Sequence, residues 1–474
     1  MPRCRSETRL GADVVSSRLE VPLHERAPFY PPHVTPARLP LRFPFNLVKL
    51  LGNNLELIPE AAYHEPVVFA PGPPRMAFFT GPELVKELLL GRHVEFPKGR
   101  LQVDLLKPIF GNAMISVEGK EWRWQRSVAA PLFRHEELLR YCPIMVDAAE
   151  VVIRRWREAE TGAVHSIHAD MMRAAFHVIA NTMLAGGAED VLRAIEKGHA
   201  DYYRGINWWI IYTLLGLPHW LPRPGGKSMR AHEVRLREAV TDLVKRRRSE
   251  AADGDDLLAR MGRAADPETG QMMSDTNIVD NVVAFLMAGY DTTAFALTWT
   301  LYLVSQSPEW ERQILDEVER VAGNDPVSAA HVDHLPIVTQ VLNESLRLFP
   351  TAPVIVRDIL EDTDVNGIRV PGGTIGLIPI YAIHRHRAYW SDPDRFDPGR
   401  FASAKPSRFQ FMPFGAGPRV CIGATFAMIE ATIMLATFVR AAHFDLESDH
   451  EAKPSGRMFL VPEGGVRLSV TLRR

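Results

Sequence analysis

The run from Asp275 to Ser307, DTNIVDNVVAFLMAGYDTTAFALTWTLYLVSQS, contains no proline and stops against Pro308. Its pattern predicts one helix of about 50 Å at 1.5 Å rise per residue, which is unusually long. Amphipathic helical patterns recur before it, at EELLRYCPIMVDAAEVVIRRWREAE, ADMMRAAFHVIANTML and RAHEVRLREAVTDLVKRRRSEAA, and IVTQVLNESLRLF follows, ended by Pro350. Two stretches read otherwise. Pro66 to Gly81 has two β-prone runs around a Pro-Gly-Pro-Pro turn, and the stretch after Arg357 alternates around Asn366-Gly367 and Pro371-Gly372-Gly373 as turned strands do. The fold class is mainly α with a minor β portion.

The chain has 474 residues, 46% apolar and 24% charged, an ordinary globular composition. Its 55 basic and 57 acidic residues leave a net charge of -2, which recommends neither nucleic acid nor an anionic membrane as partner. Residues 1–40 are rich in proline and aperiodic, so they read as an extended leader. With no repeat and no low-complexity linker after them, residues 41–474 read as a single domain. The amino terminus lacks the apolar core of a signal peptide, and no run reads as approaching the roughly 20 apolar residues of a transmembrane segment. Cys4, Cys142 and Cys421 are odd in number and widely spaced, which fits neither a disulfide framework nor a zinc site. A cytoplasmic location follows.

Cys421 stands in FMPFGAGPRVCIGATFAMIEA, between a glycine-rich loop and a helical pattern. A sulfur at a helix start favours the thiolate, a nucleophile or metal ligand, and Gly415 and Gly417 can take positive φ so that backbone N–H groups turn toward it. Arg419 could hold an anionic group nearby. A lone cysteine is, on composition alone, more often a small buried hydrophobe, and a phosphate loop is a weak rival because Val420 stands where a last glycine would.

Within the long helix, AGYDTT from Ala288 to Thr293 is a polar island. Gly289 suits either a helix widened beside a ligand or a close helix crossing, and Asp291 beside Thr292 suits a proton relay. Glu344 and Arg347 in NESLRLFP share one helix face, the spacing of an ordinary surface ion pair. Trp122 and Arg126 in WRWQR lie one turn apart, and both can donate to a carboxylate. His384, before a basic run, reads as a solvated histidine.

Taken in order along the chain, these patterns resemble those of the cytochrome P450 family. Phe414, Gly417, Arg419, Cys421 and Gly423 match its heme-binding loop, and AGYDTT its oxygen-activation motif. NESLRLFP matches its ExxR motif, and DPGRF, Asp397 to Phe401, the partner segment, with Gly399 in place of the usual glutamate. The resemblance implies heme b (iron protoporphyrin IX) between the long central helix and the Cys-loop helix, with the Cys421 thiolate as axial iron ligand. It implies that Ala288 and Gly289 lie against the heme and that Trp122, Arg126, Arg357 and Arg419 contact its propionates. Thr292 would support bound dioxygen and its water network while Asp291 gates proton entry. Glu344, Arg347 and Arg400 would form a structural cluster behind the loop.

The implied activity is that of a monooxygenase inserting one oxygen atom from O2 into a small hydrophobic organic substrate, by hydroxylation or epoxidation. A peroxygenase or dehydratase would more often lack the Asp291 and Thr292 pair, and a heme sensor would carry an output segment. No flavin or iron–sulfur segment is visible, so electrons would come from a ferredoxin or flavodoxin with its NAD(P)H-dependent reductase, docking on basic residues such as Arg123, Arg134 and Arg408. Phe96, Phe110, Phe285, Val354 and Phe459 are the expected pocket wall. INWWIIYTLLGLPHWL, Ile206 to Leu221, is the expected lid, and its tryptophans also suit weak contact with a membrane surface.

Overall fold

The computed structural model describes residues 28–38, 49, 52–70, 72, 74–184, 190–191, 193–195, 205, 208–213, 217–218, 220–250, 256–403, 405–448 and 450–473. Residues 1–27 and 39–40 of the expected leader lie outside these. Residues 28–38 run extended against the body of the protein, where Val34 N–H donates to the Tyr381 hydroxyl at 3.0 Å and Ala37 bridges Pro59.

The principal helices are α1 (Arg100–Phe110), α2 (Gly119–Ala129), α3 (Cys142–Glu158), α4 (Ile167–Leu184), α5 (Gly226–Glu250), α6 (Asp275–Ser305), α7 (Pro308–Ala322), α8 (Pro336–Leu348) and α9 (Ala424–Ala441). The long helix is α6. Ser274 caps it by accepting from Asn277 N–H, and Pro308 opens the next helix two residues after the Gln306 cap. Helices α4, α5, α8 and α9 pack around it, so nearly its whole circumference is buried. Length and composition correct one sequence expectation, that no run approaches a transmembrane segment. Both α6 and α9 are long and apolar enough to cross a membrane by length and composition, but 78% and 67% of their apolar windows are buried inside the fold. Protein covers these faces.

The strands are peripheral. The hairpin β1 (Val67–Ala70) and β2 (Met76–Phe79) joins a four-stranded sheet, and β3 (Val164–Ser166) belongs to a second sheet. Strand β4 (Ile355–Ile359) carries Arg357, β5 (Thr363–Val365) and β6 (Ile368–Val370) form a hairpin, and β7 (Thr374–Ile378) lies between β2 and β4. Asn366 and Gly367 turn the hairpin at φ 52° and 84°, the left-handed geometry that Asn-Gly tolerates. Strand β11 (Arg467–Leu472) lies between β3 and β8 (Ala442–Leu446) and pairs with both, while β9 (Lys453–Gly456) and β10 (Leu460–Glu463) form a separate hairpin.

One buried ionic cluster ties α8 to the segment that precedes α9. Arg347 and Glu344 are both fully buried and bidentate, Nε to Oε2 at 2.6 Å and Nη2 to Oε1 at 2.8 Å. Glu344 Oε1 also accepts from Asp397 N–H at 2.8 Å and Arg400 Nε at 3.3 Å. The spare donors of Arg347 reach the carbonyls of His384 and Pro393, and those of Arg400 reach Ser391 and Asp392. Removing one partner from such a pair leaves a buried charge uncompensated, which costs about 3–5 kcal/mol.

His384 is not solvated as its basic neighbourhood suggested. It is fully buried, and its Nε2 accepts from Met412 N–H at 2.9 Å. Burial, then the nearby Arg347 charge, lowers its pKa to about 3 from 6.5. The folded protein holds it neutral while the unfolded chain protonates it below 6.5, so its contribution is intact above that pH and is lost as pH falls toward 3. Stability should therefore decline from about pH 6.5 downward, and His384→Gln, which keeps an acceptor but cannot titrate, should flatten the denaturation midpoint between pH 6.5 and 4.5. An unchanged slope would place the acid sensitivity elsewhere.

Candidate active site

The loop before α9 is built by close approach. Gly415 and Gly417 have φ of 74° and 75°, and a Cβ at Gly417 would lie 1.9 Å from the Leu89 carbonyl oxygen, so only glycine fits there. Cys421 N–H closes the loop onto the Phe414 carbonyl at 3.0 Å, and Gly423 is the N-cap of α9. Of the described cysteines, Cys142 is buried and Cys421 exposed, and neither is in a disulfide. Surrounding protein still raises the Cys421 thiol above its usual pKa, an effect opposed by the Gly423 N–H and by Arg126. Arg126 Nη1 holds the Val420 carbonyl at 2.7 Å.

Buried cations gather at one side of this loop. Arg419 forms a bidentate pair with Glu118, and its guanidinium lies over the Trp122 ring with Cζ 5.3 Å from the centroid. Arg357 is buried on β4, with Nη1 on the Val356 carbonyl and Nε lacking an acceptor. Burial, then repulsion from Arg419, brings its pKa down to about 10. Lys98 is buried beside them and lowered to about 8, chiefly by burial; its ammonium donates to the carbonyls of Met114, Ile115 and Val117. Glu118 is the carboxylate these three cations share. The local excess is positive.

Above the loop, α6 keeps regular helical geometry through 288–293. Gly289 faces α4, where a Cβ would meet Ile179 Cδ1 at 3.0 Å, so its missing side chain serves the helix crossing. Thr292 is half-exposed, its hydroxyl donating back to the Ala288 carbonyl at 2.7 Å. Asp291 is fully buried, and Tyr290 beside it is raised well above 10 by burial and then by the Asp291 charge. Thr293 Oγ1 donates to Glu430 on α9 at 3.3 Å, and burial raises Glu430 well above the usual carboxyl range.

A cavity of about 340 Å³ adjoins Ala288. Phe110, Val354 and Phe459 line it as expected; Phe96 and Phe285 do not. Phe96 is buried in the core beneath the β1–β2–β7–β4 sheet, and Phe285 packs on Phe133 with ring centroids 5.5 Å apart. Of the expected lid, residues 206–207, 214–216 and 219 lie outside the described residues. In the helical turn 208–213, Ile210 lines the cavity and Trp209 is buried under the Arg223 guanidinium at 3.6 Å.

The family model described as Cytochrome P450 matches residues 39–470. The chain belongs to the cytochrome P450 family. Cyclooctat-9-en-7-ol 5-monooxygenase of Streptomyces melanosporofaciens is 31% identical over 372 residues, covering 77% of this chain and 79% of that relative. A cytokinin hydroxylase of Arabidopsis thaliana is 30% identical over 410 residues, covering 83% and 78%. Pentalenene oxygenase of Streptomyces avermitilis is 29% identical over 399 residues, covering 83% and 87%. The crystal structure of the cytochrome P450DA heme domain superposes with a TM-score of 0.80 at 25% identity, covering 94% of this chain and 99% of that one. The protein is a cytochrome P450 monooxygenase, and the family implies heme with thiolate ligation.

The residues present fit such a group. Heme brings a metal that takes a thiolate and two carboxylate arms, and this P450 offers an exposed cysteine on a glycine-shaped loop beside an excess of buried cations. The buried Nε atoms of Arg357 and Arg419 lack acceptors among the described residues. Sequence reading found Arg357, Arg419, Trp122 and Arg126 but missed Lys98 and Glu118. Lys98 had a faint signal, a lysine between Pro97 and Gly99 beside buried Phe96; Glu118 had none, because its partner Arg419 is 301 positions away.

Proposed function

We propose that residues 41–474 form a single catalytic domain that hydroxylates or epoxidises a small hydrophobic organic substrate. One atom of O2 enters the product and the other leaves as water, with two electrons and two protons supplied from outside. The observation that carries this reading is the apolar cavity lined by Met287 and Ala288, on the same helix as Asp291 and Thr292. The relatives named for oxygenating cyclooctat-9-en-7-ol and pentalenene support a hydrophobic substrate. Free cysteines support a cytoplasmic setting.

Cys421 would hold heme b through its thiolate, and that group would supply the dioxygen-activation chemistry. Arg126 fixes the Val420 carbonyl and with it the cysteine's place in the loop. Arg357, Trp122 and Arg126 would donate to the propionates, and Arg419 would join them while keeping Glu118. The Thr292 hydroxyl proton is directed to the Ala288 carbonyl, which leaves its oxygen lone pairs to accept a hydrogen bond from the reacting side. Asp291, buried one residue away, gates proton entry. Phe110 and Phe459 exclude bulk water.

Thr292→Ala should leave folding and substrate binding intact while product formed per NAD(P)H falls roughly tenfold or more and hydrogen peroxide rises. Unchanged coupling would reduce Thr292 to a helix-packing residue. Isotope-labelled O2 should place one labelled atom in the product, and label arriving from water instead would end the monooxygenation reading.

The electron donor is a separate acidic ferredoxin or flavodoxin with its NAD(P)H-dependent reductase. Arg123, Arg134 and Arg408 are exposed and carry no ion pair among the described residues, so they are free to meet it. Reduction should slow as salt rises, because exposed charges more than about 8 Å apart are screened at physiological ionic strength. A rate indifferent to salt would favour apolar docking.

A further inference from the structure

We infer that Arg457 anchors an anionic end group, so that this cavity takes lipophilic monocarboxylates and presents carbon atoms remote from the carboxylate for oxidation. The inference rests on the monooxygenase reading for the reaction but not for the binding. Arg457 is the one charged residue among the described residues that line the cavity, whose walls are otherwise almost wholly apolar: Phe78, Leu105, Ile115, Met287, Val354 and Phe459. Its guanidinium makes no hydrogen bond and no ion pair among the described residues, and its Nε is buried without an acceptor. A half-buried guanidinium with no partner beside an apolar cavity is unfavourable until an anion meets it, and a carboxylate can meet it with two parallel charge-assisted bonds.

The arginine is held in place by its backbone. It sits on the turn between β9 and β10, where its N–H donates to the Phe459 carbonyl at 3.0 Å. Asn54 Nδ2 clamps the Arg457 carbonyl at 2.6 Å, and Asn53 takes the Gly456 N–H at 2.8 Å while donating to the Pro454 carbonyl at 2.9 Å. Gly456 is needed for this contact, since a Cβ there would lie 2.3 Å from Leu55 Cγ. The Oδ1 of Asn54 lies under that same glycine, turned toward the turn. Two asparagines thus fix a turn whose side chain has no protein partner. Ala288, three residues before Asp291, borders the same cavity, so a substrate tethered at Arg457 extends its hydrocarbon toward the oxygen-activation residues. The volume of about 340 Å³ lies near the lower end of ligand pockets, roughly 300–1,000 Å³, and admits one modest lipophile.

The test compares dodecanoic acid, methyl dodecanoate and dodecan-1-ol on the ferric holoenzyme, by displacement of iron-bound water and independently by calorimetry. The acid should bind about tenfold or more tightly than either neutral chain. Arg457→Gln should erase that preference with alcohol affinity held within about twofold, and Arg457→Lys should keep most of it. Equal binding of acid and alcohol to the wild type, a preference that survives Arg457→Gln, or no binding of any chain by calorimetry would overturn the inference. The wild-type comparison decides even if a variant fails to fold. Selective acid binding without labelled-oxygen incorporation would leave the anchor standing and overturn only the claim that the tethered chain is presented for oxidation.

Discussion

The carboxylate of Glu344 gathers Arg347, Arg400 and the Asp397 N–H at a point sealed from water. Charges at such depth are stable only when every donor and acceptor is met, and this cluster meets them by drawing in carbonyls from the 384–395 segment. That segment holds His384, which in turn holds Met412 at the head of the cysteine loop. The loop is therefore braced from behind. Its own glycines only shape it; the ionic cluster decides where it stands.

In front of the loop the electrostatics are deliberately unbalanced. Lys98 and Arg357 are lowered toward neutrality by burial and by their cationic neighbours, and Glu118 offsets them and Arg419. An assembly of this kind is costly without a dianion and favourable with one, which is what two propionates supply. The same logic operates on a smaller scale at Arg457, a cation beside an apolar cavity with no carboxylate partner among the described residues.

What the sequence revealed was what local spacing encodes. Pro308 ended the long helix, Asn366-Gly367 turned a hairpin, and Glu344 with Arg347 lay one turn apart. Contacts between distant segments left no trace: Arg419 finds Glu118 across 301 positions, and Asn54 finds Arg457 across 403. His384 misled because HRHR looks like surface, whereas Arg385 is buried over the Tyr381 ring at 4.0 Å and pairs with Asp394. Phe96 and Phe285 misled because an aromatic residue near a site is as readily core as wall. Gly289 was ambiguous between ligand and helix crossing, and the proximity of Ile179 favours the crossing.

The central claim is that Cys421 alone supplies a thiolate to heme iron, and the absorption spectrum of the reduced carbon monoxide complex tests it most directly. The wild-type holoenzyme should show the long-wavelength Soret band of thiolate ligation, and Cys421→His should shift or abolish it while Cys142→Ala leaves it in place. A thiolate band that persists in Cys421→Ser, or one that never forms in a heme-loaded wild type, would contradict the account.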